Sequence, residues 1–90
     1  MTKHILKLEL FGAFRRYSDT GFMELEVELP MPLKTLRVLV AEAIAAQNPG
    51  FNREGLFRVT AFATRDEILR ADAIIDKPAG LALIPPVSGG

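Results

Sequence analysis

Two stretches near the start of the chain alternate between hydrophobic and polar residues, as half-buried β-strands do. In the first, from Ile5 to Phe11, leucine occupies every second position at Leu6, Leu8 and Leu10, so Phe11 falls on the opposite side. In the second, Met23, Leu25, Val27 and Leu29 alternate with Glu24, Glu26 and Glu28. Gly12 ends the first strand, and residues 17–21 have the composition of a turn. The pattern predicts an opening antiparallel hairpin with one apolar face.

Hydrophobic residues then change to a spacing of three and four, which predicts one amphipathic α-helix. These positions are Leu36, Leu39, Val40, Ala43 and Ile44. Thr35 carries a hydroxyl suited to an N-cap, and Pro49-Gly50 should stop the helix. Pro30 and Pro32 should break the sheet before it, because proline cannot donate to a strand ladder. The helical stripe is expected to pack on the apolar face of the hairpin.

Shorter segments complete the domain. Alternation returns from Phe57 to Ala63, with Phe57, Val59, Ala61 and Ala63 on one side, and predicts a third strand. Two apolar pairs, at 68–69 and 74–75, indicate a brief edge strand and a turn of helix. Residues 81–84 form a last strand that Pro85 and Pro86 end. The order predicts an α+β fold over residues 1–85, a mixed sheet of four to five strands with one main helix across it, followed by an extended tail over residues 86–90.

Composition excludes several classes of function. The 90 residues carry a net charge of +0, so there is no electrostatic footprint for nucleic acid or a membrane surface, and no stretch approaches transmembrane length. The chain has no cysteine, which excludes disulfides and thiolate chemistry. We expect a cytoplasmic protein with no bound cofactor.

The acidic residues form no convincing catalytic or metal-binding group. Glu24, Glu26 and Glu28 share one face of a strand, but they have no histidine or aspartate partners, so a solvated face is the better interpretation. We therefore predict no metal site and no catalytic constellation within this chain.

The end of the sequence is the one feature with distinctive chemistry. It reads Ile84-Pro85-Pro86-Val87-Ser88-Gly89-Gly90. Paired glycines without Cβ atoms make the narrowest possible peptide, which suits a tail threaded into the active site of another protein. The prolines stiffen its base, and Pro86 to Gly90 would reach on the order of 16 Å from the sheet. The Gly90 carboxylate is a poor electrophile, so its use requires activation, most simply as an acyl-adenylate.

This closing heptapeptide resembles the end of the small subunit of molybdopterin synthase, a ubiquitin-like sulfur carrier with the β-grasp fold. The resemblance implies that an E1-like enzyme uses ATP to adenylate Gly90 and that the product is converted to a thiocarboxylate. It also implies that residues 86–89 (Pro86, Val87, Ser88 and Gly89) thread into the large subunit of the synthase, in a heterotetramer. There the sulfur would pass to cyclic pyranopterin monophosphate, so this chain would be the non-catalytic, sulfur-donating subunit.

The same resemblance implies an apolar docking surface around the base of the tail. The matching positions are Phe11, on the first strand, and Ile84, directly before the prolines, with Arg15 as a polar contact at the rim. The simpler alternative is that Phe11 and Ile84 belong to the core.

Other functions share this fold and a diglycine end. One group of alternatives keeps the thiocarboxylate but changes the sulfur acceptor, for thiazole, cysteine or thio-siderophore synthesis. Another is a protein modifier joined to lysines through Gly90. The last is an interaction domain whose terminal glycines have no role. The sequence leaves all of these open.

Overall fold

The main sheet has four strands, and the chain's first strand lies inside it. The structure, a computed structural model, describes residues 2–51, 57, 60–78 and 80–85. Strand β1 (Thr2–Leu10) pairs antiparallel with β2 (Phe22–Leu29), as the alternation predicts. On its other side β1 pairs in parallel with β6 (Leu81–Ile84), which pairs antiparallel with β4 (Ala61–Ala63). The order is β2-β1-β6-β4, a mixed sheet as expected.

One α-helix packs across this sheet. Helix α1 (Leu33–Gln47) buries five side chains: Leu33, Leu36, Val40, Ala41 and Ile44. The predicted cap at Thr35 is wrong, because the helix begins two residues earlier and no side chain caps it. Instead the Leu33 N–H donates to the Ala73 carbonyl at 2.9 Å. A backbone contact from a distant segment thus replaces the local hydroxyl that the sequence offered.

The core lies between the helix and the inner face of the sheet. Leu6, Leu8 and Leu10 are buried there with Val27 and Leu29 of β2. Met23 and Leu25, also predicted to face inward, are only half-buried because β2 is an edge strand. The period-two pattern therefore identified the inner face correctly, while position in the sheet set the depth of burial.

The predicted third strand is shorter than the sequence suggested. Strand β4 spans only three residues, and Phe57 is a separate buried residue whose carbonyl accepts from the Thr60 N–H at 3.1 Å. Val59 lies outside the described residues. Phe62 points into the core opposite Leu83, whereas Ala61 lies on the other face. A run in which every residue is hydrophobic does not reveal the phase of its strand.

The segment between β4 and β6 also departs from expectation. Met31–Pro32 forms a two-residue strand, β3, despite its proline, and it pairs antiparallel with β5 (Ile74–Ile75) in a separate small sheet. Ile68 makes an isolated bridge to Ala63. No helical turn is present within residues 64–78, where one was predicted.

A 3₁₀ helix that the sequence did not reveal connects the hairpin strands. It spans Gly12–Tyr17 and inserts Phe14 into the core. Phe14 starts a network of tilted and edge-to-face aromatic contacts, with ring centroids 5.3–6.3 Å apart. The network comprises Phe14, Tyr17, Phe51, Phe57 and Phe62. These contacts fix the 3₁₀ helix, and therefore the end of β1, against the core.

Arg37 anchors the opposite side of the helix to β4. Its Nη2 donates to the Thr60 carbonyl at 2.7 Å, and its guanidinium lies 4.9 Å from the centroid of the Phe62 ring. Burial lowers the pKa of this guanidinium from its usual value, yet the group stays charged at neutral pH.

No helix among the described residues is long and apolar enough to cross a membrane.

The two faces of β1 should respond very differently to truncation. Leu8→Ala removes a side chain with no exposed surface and should lower the free energy of unfolding by about 2–5 kcal/mol. Ile5→Ala is the matched control on the same strand, because Ile5 is 53% exposed and its loss should cost less than about 1 kcal/mol. Urea unfolding of both variants measures the difference, and equal costs would contradict this strand orientation.

Candidate functional site

The parallel pairing of β1 and β6 brings two sequence-predicted docking residues together. Leu10 lies opposite Leu83, and beyond the end of β1 the Phe11 N–H donates to the Leu83 carbonyl at 3.4 Å. The prediction that Phe11 belongs to the first strand is therefore wrong by one residue. Phe11 is 40% exposed and Ile84 is 37% exposed, so neither is a core residue.

Phe11 and Ile84 line an open depression on the outer face of the sheet. Its volume is about 680 Å³, and it lies on the side opposite the helix. Its lining combines apolar side chains with four charged ones: Lys7, Glu9, Arg65 and Asp66. We call this depression the outer patch. A surface that combines exposed apolar and charged side chains can bind a protein partner.

Phe22 completes the outer patch and was missed in the sequence. It lies opposite Glu9 on β2, and its ring centroid is 4.4 Å from the Lys7 Nζ. The signal was available, because Phe22 is two residues before Glu24 and so continues the exposed face of the strand. A large aromatic side chain on an otherwise acidic face indicates contact with something other than water.

Gly12 contacts Pro85, which forms the base of the tail. Its φ of +56° is a left-handed conformation that side chains with a Cβ rarely adopt. A Cβ at this position would lie only 2.8 Å from the Cγ of Pro85, so the glycine also makes room for the proline. Pro85 thus leaves β6 in contact with the turn that follows β1. The sequence indicated Gly12 only as the end of a strand.

Arg15 lies next to the outer patch but does not line it. It is exposed on the 3₁₀ helix, and its Nη2 is 3.5 Å from the position that a Cβ on Gly21 would occupy. Gly21 directly precedes Phe22, so the guanidinium is near one end of the patch. A polar contact at the rim stays a prediction.

The tail itself falls beyond the described part of the chain. Pro86, Val87, Ser88, Gly89 and Gly90 are all outside it, so their threading and chemical roles stay predictions. The structure describes the point of departure at Pro85, which is half-buried against Gly12.

The described residues hold no evident catalytic machinery. No three histidine, cysteine, aspartate or glutamate side chains among them come together in a group that could bind a metal. Burial lowers the pKa of Arg37, and that residue contributes to the core rather than to the outer patch.

Comparison with known proteins identifies the fold. No protein-family model matches the chain, and no curated protein matches it. Among solved structures, SAMP1 from Haloferax volcanii aligns with 97% of this chain and all of its own, at 22% identity and a TM-score of 0.65. The chain has the ubiquitin-like β-grasp fold. In this β-grasp domain, the outer patch extends along β1 and β6 as far as Phe11 and Ile84, which directly precede Gly12 and Pro85 at the base of the tail.

Substitution of Gly12 should disturb the base of the tail. Gly12→Ala adds a Cβ at a positive φ and against Pro85, so we expect a loss of about 1–2 kcal/mol in unfolding free energy. Backbone NMR shifts around Pro85 should change as well. Gly50→Ala is the control, since a Cβ there meets no atom within 4 Å. Equal behaviour of the two variants would contradict the seating of Pro85 on Gly12.

Proposed function

We propose that this chain is a sulfur carrier of the ubiquitin-like type, whose Gly90 carboxylate delivers sulfur to cyclic pyranopterin monophosphate in molybdopterin synthesis. The observation that carries the proposal is the position of the outer patch. The exposed side chains of Phe11, Phe22 and Ile84 line the patch, and Phe11 and Ile84 directly precede Gly12 and Pro85, which meet at the base of the tail. A partner that covers the patch would have the tail directed into its own active site.

The proposed cycle activates the Gly90 carboxylate and then replaces one of its oxygens with sulfur. In the proposed cycle, a Gly90 carboxylate oxygen attacks the α-phosphorus of ATP on an E1-like enzyme, and pyrophosphate leaves. A sulfur nucleophile at the level of hydrosulfide then attacks the acyl carbon and displaces AMP, which gives the thiocarboxylate. No redox change occurs at Gly90 in either step.

The acceptor step belongs to a second partner, the large subunit of a molybdopterin synthase. The thiocarboxylate sulfur forms a bond to a carbon of the pterin precursor as an oxygen substituent leaves that carbon, and water then cleaves the acyl carbon from sulfur and restores the Gly90 carboxylate. The narrow Gly89-Gly90 end suits this delivery because it adds no side chain to the width of the tail. The proposal requires a mature chain that ends in a free Gly90 carboxylate.

The decisive experiment is mass spectrometry of the intact protein. After incubation with its activating enzyme, ATP and a sulfur source, the mass should rise by about 16 Da, because sulfur replaces one oxygen. A chain without Gly90 is the control, and it should fold normally but gain no mass. An unchanged mass for the full chain would refute a thiocarboxylate at Gly90.

The acceptor is tested separately. The loaded protein should yield the dithiolene product from cyclic pyranopterin monophosphate only with the large subunit present. Thiocarboxylate formation without that product would indicate that the carrier serves another pathway, such as thiazole, cysteine or thio-siderophore synthesis. Immunoblots that show high-mass conjugates, lost on deletion of Gly90, would instead indicate the protein-modifier function.

The outer patch should be required for activation. Phe11→Asp places a charge at the centre of the proposed interface and should lower kcat/KM for Gly90 adenylation by about 30-fold, equivalent to about 2 kcal/mol. Val38→Asp is the control, because Val38 is 52% exposed but lies on the helix, away from the tail base. ATP–pyrophosphate exchange measures both variants. Similar losses in the two would show that the enzyme does not use this patch.

A further inference from the structure

Strand β2 has a backbone edge with no neighbouring strand among the described residues, because it ends the order β2-β1-β6-β4. The Leu10 N–H donates to the Gly21 carbonyl at 2.8 Å, which fixes the hydrogen-bonding phase of this antiparallel pair. It follows that the N–H and C=O groups of alternate β2 residues point away from β1. Those residues are Phe22, Glu24, Glu26 and Glu28.

The turn before β2 closes only the first position of this edge. The Ser18 hydroxyl donates to the Phe22 carbonyl at 2.5 Å, and the Phe22 N–H donates to the Thr20 Oγ1 at 3.3 Å. No corresponding side chain bonds to the backbone of Glu24, Glu26 or Glu28 within the described part of the chain. The open edge therefore extends over residues 24–28, and it offers a ladder of donors and acceptors to an added strand.

The outer side of the open edge is acidic. The side chains of Glu24, Glu26 and Glu28 are exposed on one face. Lys7 and Lys3 of β1 lie opposite Glu24 and Glu28, while Glu26 lies opposite Ile5 and has no basic cross-strand neighbour. The only ion pair found within the described ranges is elsewhere, between Arg70 and Asp72.

The inner side of the same edge opens into a groove against the helix. The groove has a volume of about 530 Å³ and lies between the start of β2 and the C-terminal half of α1. Met23, Ala43 and Ile44 give it an apolar wall, while most of its other lining residues, such as Asp19 and Gln47, are polar. Half-buried Met23 is therefore in position to contact an inward-facing side chain of an added strand.

We propose that the β2 edge binds an extended segment of a partner protein by β-strand addition, and that the segment alternates basic and apolar residues. Its backbone bonds to residues 24–28, its basic side chains lie beside the three glutamates, and its apolar side chains face the groove. A β-strand has a period of two, so one alternating sequence meets both requirements.

Charge makes a second copy of this chain a poor occupant. Antiparallel pairing of two β2 strands would place the row of glutamates from one copy beside the same row from the other. Like charges directly opposite are destabilising in a sheet. The acidic row thus opposes self-association at this edge and favours a basic strand.

A synthetic peptide of alternating lysine and valine, seven residues long with blocked ends, tests the proposal on the full chain. Binding should shift the backbone NMR signals of residues 23–28 and slow hydrogen exchange at the Glu24, Glu26 and Glu28 amides. An alternating glutamate–valine peptide should not bind. Methylation of the peptide nitrogens that face β2 should weaken binding by about tenfold or more, because it removes the ladder donors.

Two charge-reversal variants separate this site from general attraction between charges. Glu26→Lys should weaken binding of the lysine–valine peptide by about fivefold or more. Glu67→Lys, an equal charge change at an exposed loop position near β4, should leave binding unchanged. Circular dichroism establishes that both variants are folded.

Three results would overturn the proposal: no binding, equal binding of the methylated peptide, or signal shifts centred on the outer patch. Self-association through β2, seen by sedimentation of the protein alone, would also overturn it. Deletion of Gly89 and Gly90 should not alter peptide binding. The test of the β2 edge is therefore independent of whether the tail transfers sulfur.

Discussion

The parallel pairing of β1 with β6 determines where the tail leaves the domain. It aligns Leu10 with Leu83, so the two strands end side by side and the next residues, Phe11 and Ile84, reach the outer face together. A parallel pair requires a long crossover between its strands, and here most of the chain, including α1, lies in that crossover. The base of the tail is therefore attached to the most deeply buried strand of the fold.

Close packing against Gly12 holds Pro85, the residue that directly precedes the tail. Pro85 fits against a residue that has no Cβ, and the 3₁₀ helix that starts at Gly12 is held by Phe14 in the aromatic network. For the proposed carrier function, a fixed position of Pro85 would reduce the entropy lost when the end of the chain enters another protein. The packing of Phe14 in the core and the position of Pro85 at the tail base thus depend on neighbouring contacts.

The surface offers two candidate binding regions of different physical character. The outer patch is apolar and surrounds the tail, whereas the β2 edge offers backbone hydrogen bonds and negative charge. They share Phe22, which contributes its ring to the patch and its backbone to the closed end of the edge. The two regions use different forces and suit partners of different chemistry, so binding at one does not require the other.

The sequence by itself determined the features that depend on local periodicity. These include the opening hairpin, the leucine face of β1 and the single main helix. Sequence alone also singled out the diglycine end, because its chemistry belongs to the residues and not to their packing. Tertiary structure decided what depends on distant partners. The Ala73 carbonyl, remote in sequence, set the start of the helix in place of Thr35, and Leu83 fixed which side of the uniformly hydrophobic β4 faces inward. The contact between Gly12 and Pro85 joins residues more than seventy positions apart, and a local pattern holds no information about such a distance.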